Sequence, residues 1–112
     1  MAFLDLFKRP DFQAGLERFR AAEGAVLLDV REPDEYADGH IPGSVNLPLS
    51  SFDAVEITLP DRNVPVFVYC LSGARSAQAA SRLQTLGYRQ VENIGGIRGF
   101  KGKLELLEDQ IH

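Results

Sequence analysis

Two short apolar runs limit what this chain can fold into: AVLLDV at residues 25–30 and VPVFVYC at residues 64–70. Each is a continuous apolar stretch of strand length, the pattern of strands buried on both faces of a parallel sheet rather than the alternating pattern of a half-solvated one. Helical patterns flank and separate them. Asp11 is placed to cap a helix that carries Phe12, Leu16 and Phe19 on one face, with Gly24 at its exit. PDEYADGHIPG reads as a short helical turn and loop, SVNLPL as a second extended piece, and Ser51 to Ile57 as a short helix. Ser76 to Leu86 forms the clearest helix, ended by Gly87; QVENIGG supplies a further strand and a glycine turn, and KLELLEDQI a terminal helix. Strands alternating with helices in this way predict an α/β domain whose parallel sheet is covered on both faces.

The 112 residues, 45% of them hydrophobic, suffice for one core and not for two, so a single domain over 1–112 is expected. The net charge is −4 with Lys and Arg scattered, which offers no footprint for nucleic acid or an anionic membrane. No apolar stretch approaches the roughly 20 residues that span a bilayer. The opening MAFLDLFKRP is interrupted by Asp5 and Lys8 and does not resemble a secretory signal, and its AFLDLF side chains are expected to pack on the sheet. One cysteine excludes an internal disulfide. A soluble cytoplasmic protein is expected, with neither nucleic acid nor membrane as a partner.

The position of that cysteine raises the functional question. Cys70 is the last residue of the most strand-like segment, and ligands of open parallel sheets bind at the carboxyl ends of strands. LSGAR follows and opens a helix, whose first N–H groups lack internal partners and carry the positive end of the helix dipole. Gly73 lets the backbone curl around a central point, Ser72 and Ala74 are too small to fill the cradle, and Arg75 adds a cation. Such surroundings favour thiolate over thiol and make Cys70 a nucleophile. The bland alternative is a buried structural cysteine, but mere packing calls for neither the glycine turn nor the arginine.

Four residues separate Cys70 from Arg75. Cysteine-dependent phosphatases bracket an anion in a loop one residue longer; the shorter loop encloses a smaller site, matched to one added sulfur atom rather than to a phosphoryl group. No second thiol exists to resolve a persulfide on Cys70, so sulfur loaded there leaves to an outside acceptor. His40 and His112 have no ligand spacing with Cys70, so neither a metal nor a cofactor is expected.

LLDVREPDEYADGHIPGSVNLP, VYCLSGARS and IGGIRGF, in that order from about Ala25 to Phe100, resemble three motifs of the single-domain rhodanese-like sulfurtransferases. The resemblance implies a Rossmann-like parallel sheet of about five strands with helices on both faces. It implies that Cys70 takes a sulfane sulfur from thiosulfate or a persulfide donor and passes it to a thiol or cyanide acceptor. It also implies that Leu71, Ser72, Gly73, Ala74 and Arg75 form the substrate-binding cradle. Phe100 stands where the family often carries Trp, and Ser44 replaces a commoner alanine. Arg75 is the only cation within the loop, which gives dianionic thiosulfate modest electrostatic help. The alternative function is a persulfide carrier that docks with sulfur-relay proteins and turns over small donors poorly; a noncatalytic binding domain would commonly have lost the cysteine.

Ser76, Asp29 and Arg31 are assigned as supporting residues, the last two as a structural ion pair beside the loop. His40 is read as stabilising a fold-defining turn rather than as a base. Arg98 either meets an anionic donor or is solvated on a glycine turn.

Overall fold

The computed structural model describes residues 10–110; the expected packing of AFLDLF therefore lies outside the described residues. Helix α1 (Phe12–Ala21) starts where Asp11 accepts the Ala14 N–H at 3.2 Å. Strand β1 (Val26–Asp29), helix α2 (Pro33–Asp38) and the two-residue strand β2 (Val45–Asn46) follow. A 3-10 helix (Leu49–Ala54) then runs into the single turn α3 (Val55–Thr58). Strand β3 (Val66–Cys70), helix α4 (Ala74–Thr85), strand β4 (Val91–Gly96) and a 3-10 turn (Ile97–Gly99) complete the frame.

The sheet has four parallel strands in the order β2-β1-β3-β4, close to the five expected. Side chains of β3 alternate between its faces as the strand period requires. Val66, Val68 and Cys70 join a core with Ala79 and Leu83 of α4 and Phe52 and Val55 of the middle helices. Phe67 and Tyr69 join Phe12 and Leu16 of α1 on the opposite face. Helix α1 approaches closely because residue 15 is glycine: a Cβ there would lie 2.4 Å from the Ile94 side chain. Chain order turns back at β1, whose neighbours β2 and β3 lie on opposite sides, and a crevice at such a switch point is where open α/β sheets hold ligands. Cys70 ends the strand beside it.

The terminal helix expected over KLELLEDQI is corrected. Glu105 lies in an antiparallel bridge with His40, each residue's N–H donating to the other's carbonyl (3.0 and 2.8 Å), and only Leu107–Gln110 forms a 3-10 turn. Those tertiary bonds draw the backbone out of the helical pattern, and the leucines at 104, 106 and 107 remain partly exposed instead of forming a buried stripe. No helix among the described residues is long and apolar enough to cross a membrane.

Candidate active site

Because period-two alternation turns Cys70 toward the α4 face, its sulfur points at the first turn of that helix. The loop closes through Gly73, which sits at φ +104 as the N-cap of α4, a left-handed conformation that disfavours any side chain. The Gly73 N–H donates to Cys70 Sγ at 2.9 Å. Cys70 itself is fully buried. Burial pushes its thiol up, but the Ser76 hydroxyl and the N–H groups of Ser76, Gly73 and Ser72 outweigh burial and hold it below its ordinary value.

Ser76 is buried one turn into α4. Its single hydroxyl proton faces the Asn93 Oδ1 at 2.7 Å, the Gly73 carbonyl at 3.0 Å and the Cys70 sulfur. The Asn93 amide is oriented by the Gly95 N–H, which donates to the same Oδ1 at 3.0 Å. Asn93 reaches this position at a bulge: Val68 pairs with Asn93, but Tyr69 already pairs with Gly95. Behind the loop, residue 96 must be glycine, since a Cβ would lie 2.5 Å from the Leu71 carbonyl oxygen.

Arg75 is placed differently from the free cation the sequence suggests. Its two terminal nitrogens donate to the two oxygens of Glu35 on α2 at 2.7 and 3.0 Å, a bidentate pair about one-third exposed. The Arg75 bond is the main cause that lowers the Glu35 carboxyl to about 2. Glu35 also accepts the Glu32 N–H, closing a capping box on α2. Arg75 is attracted by a Cys70 thiolate, but the groups that donate to the sulfur are the loop amides and Ser76.

Asp29 and Arg31 form a buried ion pair at 2.7 Å, and Arg31 also donates to the Gly39 carbonyl at 2.7 Å. They staple the end of β1 to the turn after α2, as the structural reading of the pair requires. His40 is buried in that turn, its ring stacked on Tyr36 at 3.7 Å and its Nδ1 2.7 Å from the Tyr36 carbonyl. Ser44 does more than fill space: its hydroxyl donates to the Ile41 carbonyl at 2.7 Å and lies 3.2 Å from the Tyr69 hydroxyl. Phe100 packs edge-on to Phe12 at 6.3 Å. Arg98 is exposed and lines a cleft of about 590 Å³ walled by Leu71, Ser72 and Gly73 on one side and by Gly95 and Gly96 on another. Among the described residues, no cluster of three or more His, Cys, Asp or Glu side chains has metal-binding placement.

Sequence reading missed Glu35 and Asn93. Glu35 belongs to an E-x-x-E capping pattern that reads as helix start alone, and its partner lies 40 residues away. A polar residue inside VENIGG, two positions before a glycine pair at a strand end, is the one signal that marks Asn93.

A cysteine cradled by amides at the end of the third strand of a parallel sheet is accompanied by a match to the rhodanese-like domain over residues 12–103. The chain belongs to the rhodanese-like domain family. The match extends past Ala25 and Phe100 at both ends. Thiosulfate sulfurtransferase PspE of Escherichia coli is 40% identical over 72 residues, covering 63% of this chain and 69% of its own length. Thiosulfate sulfurtransferase GlpE of Pseudomonas entomophila is 41% identical over 75 residues, 67% of this chain and 68% of that protein. A putative sulfur carrier protein of Bacillus subtilis, YrkF, is 36% identical over 98 residues, 83% of this chain and 52% of that one. Among solved structures, an E. coli rhodanese with anions superposes with a TM-score of 0.68 at 35% identity, covering 73% of this chain and 98% of that one. A rhodanese-related protein from Thermoplasma volcanium gives 0.72 at 31% identity, covering 88% and 99%.

Proposed function

We propose that this rhodanese-like chain is a sulfurtransferase that carries sulfane sulfur on Cys70. The observation that carries the reading is the Cys70 sulfur inside a four-residue loop, receiving the Gly73 N–H at 2.9 Å, with its thiol held low by loop amides and Ser76. The thiolate attacks the outer sulfur of thiosulfate; the new S–S bond forms as the old one breaks, and sulfite departs with the bonding pair. The resulting Cys70 persulfide carries its negative charge on the outer sulfur, about 2 Å beyond Sγ. Cyanide or a thiolate then attacks the outer sulfur, taking it as thiocyanate or as a new persulfide and returning the Cys70 thiolate. Leu71 to Arg75 form the cradle, Ser76 supports the sulfur, and the Asp29–Arg31 pair braces the end of the neighbouring strand β1.

A second reading has its own support. Arg75 spends its charge on Glu35, and Cys70 is fully buried, so little in the loop itself favours a small dianion; a persulfide carrier fed by another protein fits this, as does the relative named a putative sulfur carrier. Intact mass separates the readings. Wild type incubated with thiosulfate or with cysteine persulfide should gain about 32 Da, one sulfur atom, and Cys70→Ser should gain nothing while remaining folded. Loading from the persulfide but not from thiosulfate selects the carrier, and loading of Cys70→Ser would end the covalent scheme.

A further inference from the structure

We infer that the leucine-bearing strap after β4 seats a second copy of this chain, the two straps running antiparallel across a twofold axis. The inference goes beyond the sulfur-transfer reading and does not depend on Cys70. Of the five large apolar side chains that stay exposed among the described residues, three, Leu104, Leu106 and Leu107, fall within four positions. Single exposures are ordinary, whereas a contiguous group marks an interaction site. This group is fixed in place. The backbone bridge between Glu105 and His40 (3.0 and 2.8 Å) fastens the strap to the turn after α2, and Leu104 lies against Gly39, where a Cβ would come within 3.1 Å of its Cδ1. Leu106 and Leu107 then wall a groove of about 520 Å³ with Ala37, Asp38 and Glu108.

Charge selects the occupant. Asp34 and Asp38 are exposed one helical turn apart on the same side of α2, a like-charge spacing that is unfavourable on its own, and Glu108 is exposed at the end of the strap. None of these three carboxylates has a basic partner among the described residues. Lys101 and Lys103 are exposed at the strap's other end, and neither has an acidic partner among the described residues. Along the strap the order is therefore cations, leucines, carboxylates. A second strap turned about a twofold axis sets leucine on leucine and brings its Lys101 and Lys103 to Asp38 and Glu108, so both sets of unpaired charge are met at once. A basic amphipathic peptide of another protein would meet the carboxylates alone and face the lysines with like charge. Size sets the strength. A short strap and one side of a short helix offer less than the roughly 800 Å² per partner of a standard interface, so the dimer is weak, with a Kd on the order of 10–100 µM.

Sedimentation equilibrium of the full chain tests this. Between about 5 µM and about 500 µM the weight-average mass should climb from 12.4 kDa toward twice that value. Raising the salt to about 0.5 M should weaken association several-fold. Leu106→Ser together with Leu107→Ser should abolish the climb. Lys103→Glu and Glu108→Lys should each weaken association about tenfold, and the two combined should restore part of it, since the reversed charges meet again across the axis. These are surface positions, and urea midpoints equal to wild type would show that each variant keeps its fold. A chain that stays monomeric at every concentration would overturn the inference and leave the surface to a different partner. So would a dimer that survives loss of both leucines, or a charge-swapped double variant that associates no better than either single one.

Discussion

At the scale of single residues the site turns on one proton. Ser76 has a single hydroxyl hydrogen and three acceptors within reach, and its donation to Cys70 is the largest favourable contribution to the thiolate. Removing a hydrogen bond to a charged acceptor forfeits about 1.5 kcal/mol or more, so Ser76→Ala should slow iodoacetamide alkylation of Cys70 about tenfold at neutral pH and move the alkylation midpoint upward. Unchanged alkylation would show that the amides alone hold the anion. Asn93→Asp supplies a stronger acceptor and a negative charge on the far side of Ser76; it should slow alkylation in the same direction, while Asn93→Ala, which releases the Ser76 proton, should not. Cys70, its loop and Ser76 were legible because a lone thiol, a glycine and an arginine occupy a strand-to-helix turn. Asn93 was not, because a bulge decides which face it meets and periodicity carries no sign of a bulge.

Between elements, the Glu35–Arg75 pair ties α2 to the first turn of α4. Its pH behaviour follows from the lowered carboxyl. Glu35 ionises at about 2 in the fold against 4.5 ordinarily, so the stability it confers is complete above about pH 4.5 and is lost as pH falls toward 2. With solvent screening of a pair one-third exposed, Glu35→Gln should cost about 1 kcal/mol in urea unfolding at pH 7, and the difference from wild type should close between those two values. Arg75→Ala should cost more, because it leaves the Glu35 carboxylate without its bidentate partner, and should slow Cys70 alkylation, because it removes a cation that attracts the thiolate. Adding Glu35→Gln to Arg75→Ala should restore part of the stability loss; strict additivity in this cycle would mean that the two side chains act independently. Arg75→Lys keeps the charge but only one bond of the fork, and should fall between. Such long-range partners escape sequence reading for the same reason as the missing terminal helix. KLELLEDQI has helical spacing, yet two backbone bonds between Glu105 and His40 outweigh local propensity.

Over the whole molecule the strands, though not their order, were legible where the apolar runs were long. AVLLDV and VPVFVYC became the central pair, with Asp29 opposite Tyr69, whereas SVNLPL yielded only two paired residues at the edge. The close fit of β4 behind the loop carries a further expectation. Gly96→Ala drives a methyl against the Leu71 carbonyl oxygen, so it should lower stability by about 1–3 kcal/mol and slow Cys70 alkylation as the Gly73 N–H is displaced; a variant with wild-type urea midpoint and alkylation rate would show that the loop yields freely. The order in which the chain is made gives the bulge at Asn93 a temporal meaning. Cys70 leaves the ribosome before Asn93, Gly95 and Gly96 exist to complete its surroundings, and parallel pairing of β3 with β4 must wait until α4 has been spanned. The groups that hold the Cys70 thiol low, Ser72, Gly73 and Ser76, all precede β4 in the chain. What the last strand adds on pairing is backing, with Gly96 against the Leu71 carbonyl and Asn93 against the Ser76 hydroxyl, so the loop carries its own donors and receives its final shape from the strand made after it.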